Sequence, residues 1–141
     1  MALWHDDGEF ITTSGNKHAG REMLQKLFAS FVRERVTGNN ETGNAVVRGN
    51  TVFLHTQVTS GYLTDLGVAP ITLASVSVVD GNKIRSRTFY YPMTSVEKID
   101  NACSRPEKRD VLIFNRPCAE FAQKFRAHTE KLVADGVVPK D

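Results

Sequence analysis

Residues 76–91 read VSVVDGNKIRSRTFYY, and this stretch decides the fold. Two runs rich in β-branched and aromatic residues flank Gly81-Asn82, and a two-residue connection of this kind is a strong short-range signal for a β-hairpin. The upstream run extends back to residue 70. We therefore predict paired strands over 70–80 and 83–91, which places an antiparallel sheet at the centre of the protein.

The sequence on the N-terminal side of this hairpin repeats the same signal. Gly49-Asn50 separates residues 45–48 from residues 51–60 and predicts a second hairpin. Residues 4–13 end in a short β-prone run that stops at a turn of Ser, Gly and Asn. These segments supply further strands for the same sheet.

Two amphipathic helices accompany the strands. Residues 21–36 carry apolar side chains at the spacing i, i+1, i+4, i+5, i+8 and i+9, which forms one stripe on a helix. Gly20 precedes the stripe as a possible N-cap, and residues 117–134 form a second helix with one apolar face. Helices beside hairpins predict an α+β fold, and the length of 141 residues fits a single domain over 1–141.

The remaining segments are predicted as connections. Residues 38–44 are polar, residues 61–70 link two strands, and residues 97–110 are charged and contain a proline, so we expect three loops. A short apolar run at 111–114 predicts one more strand.

The two cysteines form no recognisable motif. Cys103 and Cys118 lie 15 residues apart, without a CxxC spacing or paired histidines. The alternatives are a disulfide or a metal site, but such cysteines are more typical of reduced thiols in a cytosolic protein, and reduced thiols are what we expect here.

Composition excludes several classes of function. The net charge of +2 comes from Lys and Arg residues that are interleaved with acids, so we expect no nucleic-acid partner. No apolar run is long enough to span a membrane, and the N-terminus lacks a basic and a hydrophobic region. We therefore expect a cytoplasmic protein. No phosphate loop or metal motif is present, so we expect neither a cofactor nor a metal.

Two segments together resemble a known family. Residues 6–10 (DDGEF), followed by residues 18–22 (HAGRE) at the start of a helix, resemble the N-terminal stretch of ketosteroid-isomerase-like and SnoaL-like proteins. The hairpin at 76–91 resembles the hairpin of the same proteins. The resemblance covers about residues 3–92 and identifies the nuclear-transport-factor-2-like superfamily.

The resemblance implies a strongly curved antiparallel sheet that wraps around helices and encloses a cone-shaped, mostly apolar cavity for a small molecule. It also implies a homodimer joined through the outer face of the sheet. Members of the superfamily carry a long helix before the segment that resembles residues 6–10. The helix at 117–134 lies outside the resemblance, and we expect it to close the cone in its own chain or in a partner.

The acids that enzymes of this superfamily use are not found at the matching positions. Thr12 stands where the steroid isomerases have their general base, and Ser75 stands where they have their second acid. Near the end of the strand after the turn, where epoxide hydrolases and cyclases have an acid, this chain has Phe89 and Pro92. Acid–base catalysis requires a positioned group of suitable pKa, so the sequence favours binding over reaction.

The resemblance places six residues on the cavity side of the hairpin: Arg87, Phe89, Tyr91, Leu73, Ser75 and Ser77. An arginine beside aromatic rings suits a planar or carboxylate-bearing ligand. The alternation alone does not choose the face, so Arg87 on the outer face or paired with Glu9 remains an alternative.

Three residues remain as candidates for catalysis. Asp7 is either a turn or capping group or the best remaining acid, and Asp65 lies in the loop expected to cover the mouth of the cone. His55 is either a base or, as its neighbours favour, a residue of the outer face. The leading function is a ligand-binding protein; the alternatives are an isomerase, cyclase or epoxide hydrolase, and a protein-interaction domain that uses its outer sheet face.

Overall fold

A computed structural model describes residues 3–39 and 45–139. Nine strands and four helices follow one another in these ranges. The strands are β1 (Trp4–Ile11), β2 (Lys17–Ala19), β3 (Thr37–Asn39), β4 (Ala45–Arg48), β5 (Thr51–Thr59), β6 (Ile71–Asp80), β7 (Lys83–Tyr90), β8 (Leu112–Ile113) and β9 (Arg116–Pro117). The helices are α1 (Arg21–Arg33), α2 (Gly61–Leu66), α3 (Met93–Cys103) and α4 (Cys118–Ala134).

The first seven strands form one curved sheet in the order β2-β1-β7-β6-β5-β3, and β4 also pairs with β5. The predicted α+β fold with a curved sheet around helices is confirmed. One detail differs from the expected antiparallel pattern, because β1 runs parallel to β7 while the other pairs in this sheet are antiparallel. β1 reaches β7 through several intervening elements, which gives the chain room to enter in the parallel sense.

Both predicted hairpins are present. β6 and β7 pair from Ala74↔Tyr90 to Asp80↔Lys83, and β4 and β5 pair from Ala45↔Leu54 to Arg48↔Thr51. The glycines of the two turns have φ angles of 60° and 65°, a conformation that glycine adopts without steric cost.

The first predicted helix is present but shorter than expected. α1 buries Leu24 and Leu27 against the sheet and ends at Arg33. Arg35 then adopts a left-handed φ of 57°, which stops the helix before the predicted boundary at 36. The chain continues directly into β3, so part of the expected loop at 38–44 is strand; residues 40–44 lie outside the described residues.

Two predicted loops are largely helical. α2 occupies the first part of 61–70, and Ser60 caps it by accepting a hydrogen bond from the backbone of Leu63. α3 occupies the first part of 97–110 and buries Val96, Ile99 and Ala102. The charged side chains of this segment lie on the solvent side of α3, and they mask its apolar stripe in the sequence. Among the described residues, no helix is long and apolar enough to cross a membrane.

α4 confirms the predicted C-terminal helix, but the prediction of reduced thiols is wrong. Cys103 at the end of α3 and Cys118 at the start of α4 form a disulfide. α3 packs against α4, which brings the two Cα atoms to 5.7 Å, within the range that a disulfide requires. Both cysteines belong to the main apolar core, which also contains Tyr91 and Phe125. Sequence spacing alone does not report this contact between helices.

A smaller apolar cluster covers part of the outer face of the sheet. Val138 packs there against Ala74, Val76 and Tyr90. The C-terminal segment after α4 therefore crosses to the side of the sheet opposite α1.

We expect the disulfide to contribute to stability. Replacing Cys103 and Cys118 together by Ala should lower the free energy of unfolding by about 3 kcal/mol, because the bond closes a loop of roughly 15 residues in the unfolded chain. Urea unfolding without reductant measures this difference. Wild-type protein in reductant should approach the double variant, whereas equal stability of all three samples would contradict the structural role of the bond.

His128 on α4 should make stability depend on pH. Its Nε2 lies 3.0 Å from the carbonyl oxygen of Phe89, and burial lowers its pKa below the ordinary value of 6.5. Because the unfolded chain binds this proton more readily, the stability that neutral His128 provides is complete above about pH 6.5 and is lost as the pH falls through the lowered folded pKa.

Replacing His128 by Gln removes the titrating group and keeps a donor for the carbonyl. We expect the loss of unfolding free energy between about pH 7.5 and about pH 5 to be smaller in H128Q than in the wild type. Other groups, such as Asp6, titrate equally in both proteins, so the comparison isolates His128. Equal losses in both proteins would contradict this account.

Candidate ligand-binding site

A cavity of about 560 Å³ lies between the concave face of the sheet and the helices α1 and α4. Its floor comes from β5, β6 and β7. Most of the lining side chains are apolar, and the aromatic ones are Trp4, Phe10, Phe28, Phe31, Tyr62, Phe89, Tyr91, Phe114, Phe121 and Phe125. The volume and the apolar wall are typical of sites for drug-sized molecules.

The aromatic wall is packed edge to face and face to face. Phe10 on β1 stacks on Phe89 with 5.1 Å between ring centroids, and it meets Phe28 of α1 edge-on at 5.8 Å. Trp4 lies 6.1 Å from Phe28. Contacts of this kind fix the rings, so this part of the cavity is largely pre-formed.

Arg87 is the one cation among the described lining residues. Its Cζ lies 4.8 Å from the centroid of the Phe89 ring, and its Nε is buried without a hydrogen-bond partner among the described residues. Burial lowers the pKa of Arg87, and no described carboxylate acts against that effect. The guanidinium nevertheless stays charged, since an arginine side chain is not deprotonated in proteins.

Two tyrosines form a hydroxyl pair on the same wall. The hydroxyl oxygens of Tyr62 on α2 and Tyr91 after β7 lie 3.2 Å apart, and burial raises the pKa of both phenols. Both groups therefore remain protonated at neutral pH and act as hydrogen-bond donors or acceptors. Tyr91 also packs edge-on against Phe125 of α4 at 4.9 Å.

The polar part of the wall comes mainly from the turn between β1 and β2. Thr12, Thr13, Ser14, Asn16 and His18 line the cavity there. The hydroxyl of Thr12 accepts a hydrogen bond from the backbone of Asn16 and lies 3.1 Å from that of Ser14. These groups offer neutral hydrogen bonds to a ligand.

The structure brings together four of the six expected ligand-binding residues. Leu73, Arg87, Phe89 and Tyr91 line the cavity. Arg87 does not pair with Glu9, whose carboxylate binds Lys17 at 2.8 Å instead.

Ser75 and Ser77 are not among the lining residues. They lie opposite Phe89 and Arg87 in the register of β6 and β7, and these longer side chains form the wall. Ser75 is buried and borders a second depression on the other side of the sheet.

The three candidates for catalysis also lie outside the cavity wall. Asp7 is exposed and binds Arg85 at 2.7 Å. Asp65 is exposed on α2, which replaces the loop expected at this place. His55 borders the depression of the outer face, in agreement with the alternative that its neighbours favour.

Sequence reasoning missed the part of the wall that the helices supply. Phe28 and Phe31 belong to the apolar stripe of α1, and Phe121 and Phe125 belong to that of α4. Their spacing showed a buried face but not that part of this face would border a cavity. The contribution of α4 agrees with the expectation that the C-terminal helix closes the cone, and it does so within the same chain. No pattern in the sequence indicated that Phe114 would line the cavity.

The described wall carries few ionisable groups. Its described residues include a cation, phenols, hydroxyls and a histidine, and they include no carboxylate. In the described part of the chain, no group of three or more His, Cys, Asp and Glu side chains is arranged to hold a metal ion.

Known proteins are similar to this chain in their fold. No protein-family model and no curated protein matches the sequence. A number of solved structures are similar to it, among them the following three. A protein of Catenulispora acidiphila with a ketosteroid isomerase-like fold, crystallised with trimethylamine, has a TM-score of 0.53 and 22% identity over 67% of this chain and 73% of that one.

The other two are more distant in sequence. A protein of Sinorhizobium meliloti named as a candidate polyketide cyclase has a TM-score of 0.53 and 13% identity over 62% of this chain and 75% of that one. TerC, co-crystallised with polyporic acid, has a TM-score of 0.52 and 10% identity over 69% of this chain and 79% of that one. The chain therefore has the same fold as the protein of Catenulispora acidiphila, a fold that is described as ketosteroid isomerase-like.

Proposed function

We propose that this protein binds a small, largely apolar and anionic molecule whose carboxylate or equivalent group is held by Arg87. The observation that carries the proposal is the buried Nε of Arg87, which lies on the wall of an aromatic cavity and has no partner in the part of the chain that the structure describes. Phe89, Tyr91 and Leu73 form the apolar surroundings of the bound molecule.

Burial of a charge without a partner is costly, and proteins retain such a group where something else compensates it. Other described arginines form ion pairs, as Arg21 does with Asp6 at the surface and Arg126 does with Asp100 at a partly buried position. Within residues 3–39 and 45–139, Arg87 has no such carboxylate. An anionic ligand would supply the missing acceptor, and a planar fork of donors fits a carboxylate with two parallel hydrogen bonds.

The similar solved structures support a cavity open to small molecules. Two of them contain one, trimethylamine in one case and polyporic acid in the other. Those ligands belong to those proteins. The feature that would select an anion in this chain is Arg87 itself.

Replacement of Arg87 by Met tests the proposal. We expect the wild type to bind 2-naphthoate, a planar aromatic carboxylate, and R87M to bind it roughly ten- to a hundredfold more weakly, because a hydrogen bond to a charged group contributes about 1.5–3 kcal/mol. Isothermal titration calorimetry measures both affinities.

Arg85 provides the matched control. It lies two residues earlier on the same strand and binds Asp7 and Asp80 at the surface, so R85M makes the same change of charge away from the cavity. We expect R85M to bind 2-naphthoate as the wild type does. Equal affinity of R87M and R85M, or tighter binding of neutral 2-naphthamide than of 2-naphthoate, would contradict the proposal.

The two alternative functions receive less support. An isomerase, cyclase or epoxide hydrolase needs an acid at the substrate, and neither Asp7 nor Asp65 lines the cavity. A protein-interaction domain would use the outer face, where Val138 already covers part of β6 and β7.

The homodimer and the cytoplasmic location stay predictions. Val46 and Val47 on β4 are exposed, 50% and 66% respectively, and β4 is the place where we expect a second subunit to pack. Light scattering after size exclusion measures the mass.

The disulfide is typical of oxidising compartments, so alkylation of free thiols in intact cells is the measurement that decides on the location.

A further inference from the structure

The turn between β8 and β9 has an unusual residue in it. Ile113 pairs with Arg116, so Phe114 and Asn115 form a two-residue connection, with φ angles of 47° and 68°. Left-handed φ at both central positions defines a turn that favours Asn and Gly. Asn115 fits this preference, whereas a bulky phenylalanine is a true outlier there.

The surrounding structure holds Phe114 in this conformation. Ile113 beside it is fully buried, and the backbone of Cys118 donates a hydrogen bond to the carbonyl of Val111 at 3.1 Å. The disulfide between Cys103 and Cys118 fastens both ends of the segment to α3 and α4. Strained residues that are fixed in this way are concentrated at functional sites.

This conformation places the ring of Phe114 on the cavity wall. Phe114 lines the cavity, 5.9 Å from the ring of Tyr62 and 6.2 Å from that of Phe121.

Two tyrosines connect the strand that carries Arg87 with Phe114 along this wall. The chain from Arg87 to Tyr91 is extended and spans roughly 13 Å. Tyr91 then meets the hydroxyl of Tyr62, and Tyr62 packs against Phe114. A ligand whose anionic group is bound at Arg87 would point its apolar end towards Phe114.

We propose that Phe114 determines how long a ligand the cavity accepts. Its ring closes the end of the cavity remote from Arg87, and its strained backbone is retained because the turn must carry a large side chain at this point. This inference rests on the proposed function, since it takes the anion at Arg87 as the fixed end of the ligand.

The test compares a short and a long aromatic carboxylate, 2-naphthoate and biphenyl-4-carboxylate. Replacing Phe114 by Gly removes the ring and suits the left-handed backbone. We expect the affinity for biphenyl-4-carboxylate relative to 2-naphthoate to rise roughly tenfold in F114G, as expected when a hydrophobic pocket gains room for a few carbon atoms. Phe114→Asn, which also tolerates this φ, should give the same change if F114G folds poorly.

Asn115→Gly is the matched control. It changes the neighbouring left-handed residue of the same turn and leaves the ring in place, so we expect the ratio of the two affinities to stay as in the wild type. A ratio that stays unchanged in both Phe114 variants, with both carboxylates still bound, would overturn this inference and leave the role of Arg87 intact. Absence of binding of either carboxylate to the wild type would overturn both.

Discussion

The structure depends on the alternation of side chains along β7, which lies between β1 and β6 in the sheet. Arg87 and Phe89 point to the concave face, and Tyr90 points to the outer face, where it packs with Val138. Successive side chains of a strand must face opposite sides, so a shift by one residue would exchange the two environments. The register with β6, set by the turn at 81–82 together with the irregularity between Val78 and Val79, therefore fixes both the cavity wall and the outer cluster.

The concave face is covered without being filled. α1 and α4 pack aromatic rings around its rim and leave a cavity instead of a closed core. Within this apolar space the protein retains a guanidinium whose Nε has no partner in the described residues. Arg85 at the surface differs from Arg87, because it forms ion pairs with two carboxylates, those of Asp7 and Asp80. Burial of a polar group without a partner is costly, so the Nε of Arg87 is the feature of the described cavity wall on which the proposed binding of an anion rests.

The sequence predicted those parts of the fold that local chemistry determines. Gly81-Asn82 and Gly49-Asn50 place two hairpins, and the stripes of α1 and α4 place two helices. α3 was not predicted from the sequence, because its charged residues hide the apolar positions of Val96, Ile99 and Ala102. The disulfide was not predicted either, because only the packing of α3 on α4 brings Cys103 near Cys118.

The site was predictable to the extent that it lies on β6 and β7. Arg87, Phe89, Tyr91 and Leu73 follow from alternation once the inner face is known, and the resemblance supplied that face. Ser75 and Ser77 lie opposite Phe89 and Arg87, whose longer side chains form the cavity wall. Alternation predicts which face a side chain is on, but not whether it is long enough to line the cavity. Phe114 requires knowledge of a turn conformation that its own residue type disfavours, so no sequence rule would have placed it.

The most direct measurement follows the side-chain Nε–Hε group of Arg87 by NMR in ¹⁵N-labelled protein, with R87M used to assign the signal. The account predicts that 2-naphthoate shifts the Hε resonance strongly and saturably and slows its exchange with water, because a buried donor without a partner gains a charged acceptor. An Hε signal that stays in place while backbone amides report binding elsewhere would contradict the central role of Arg87.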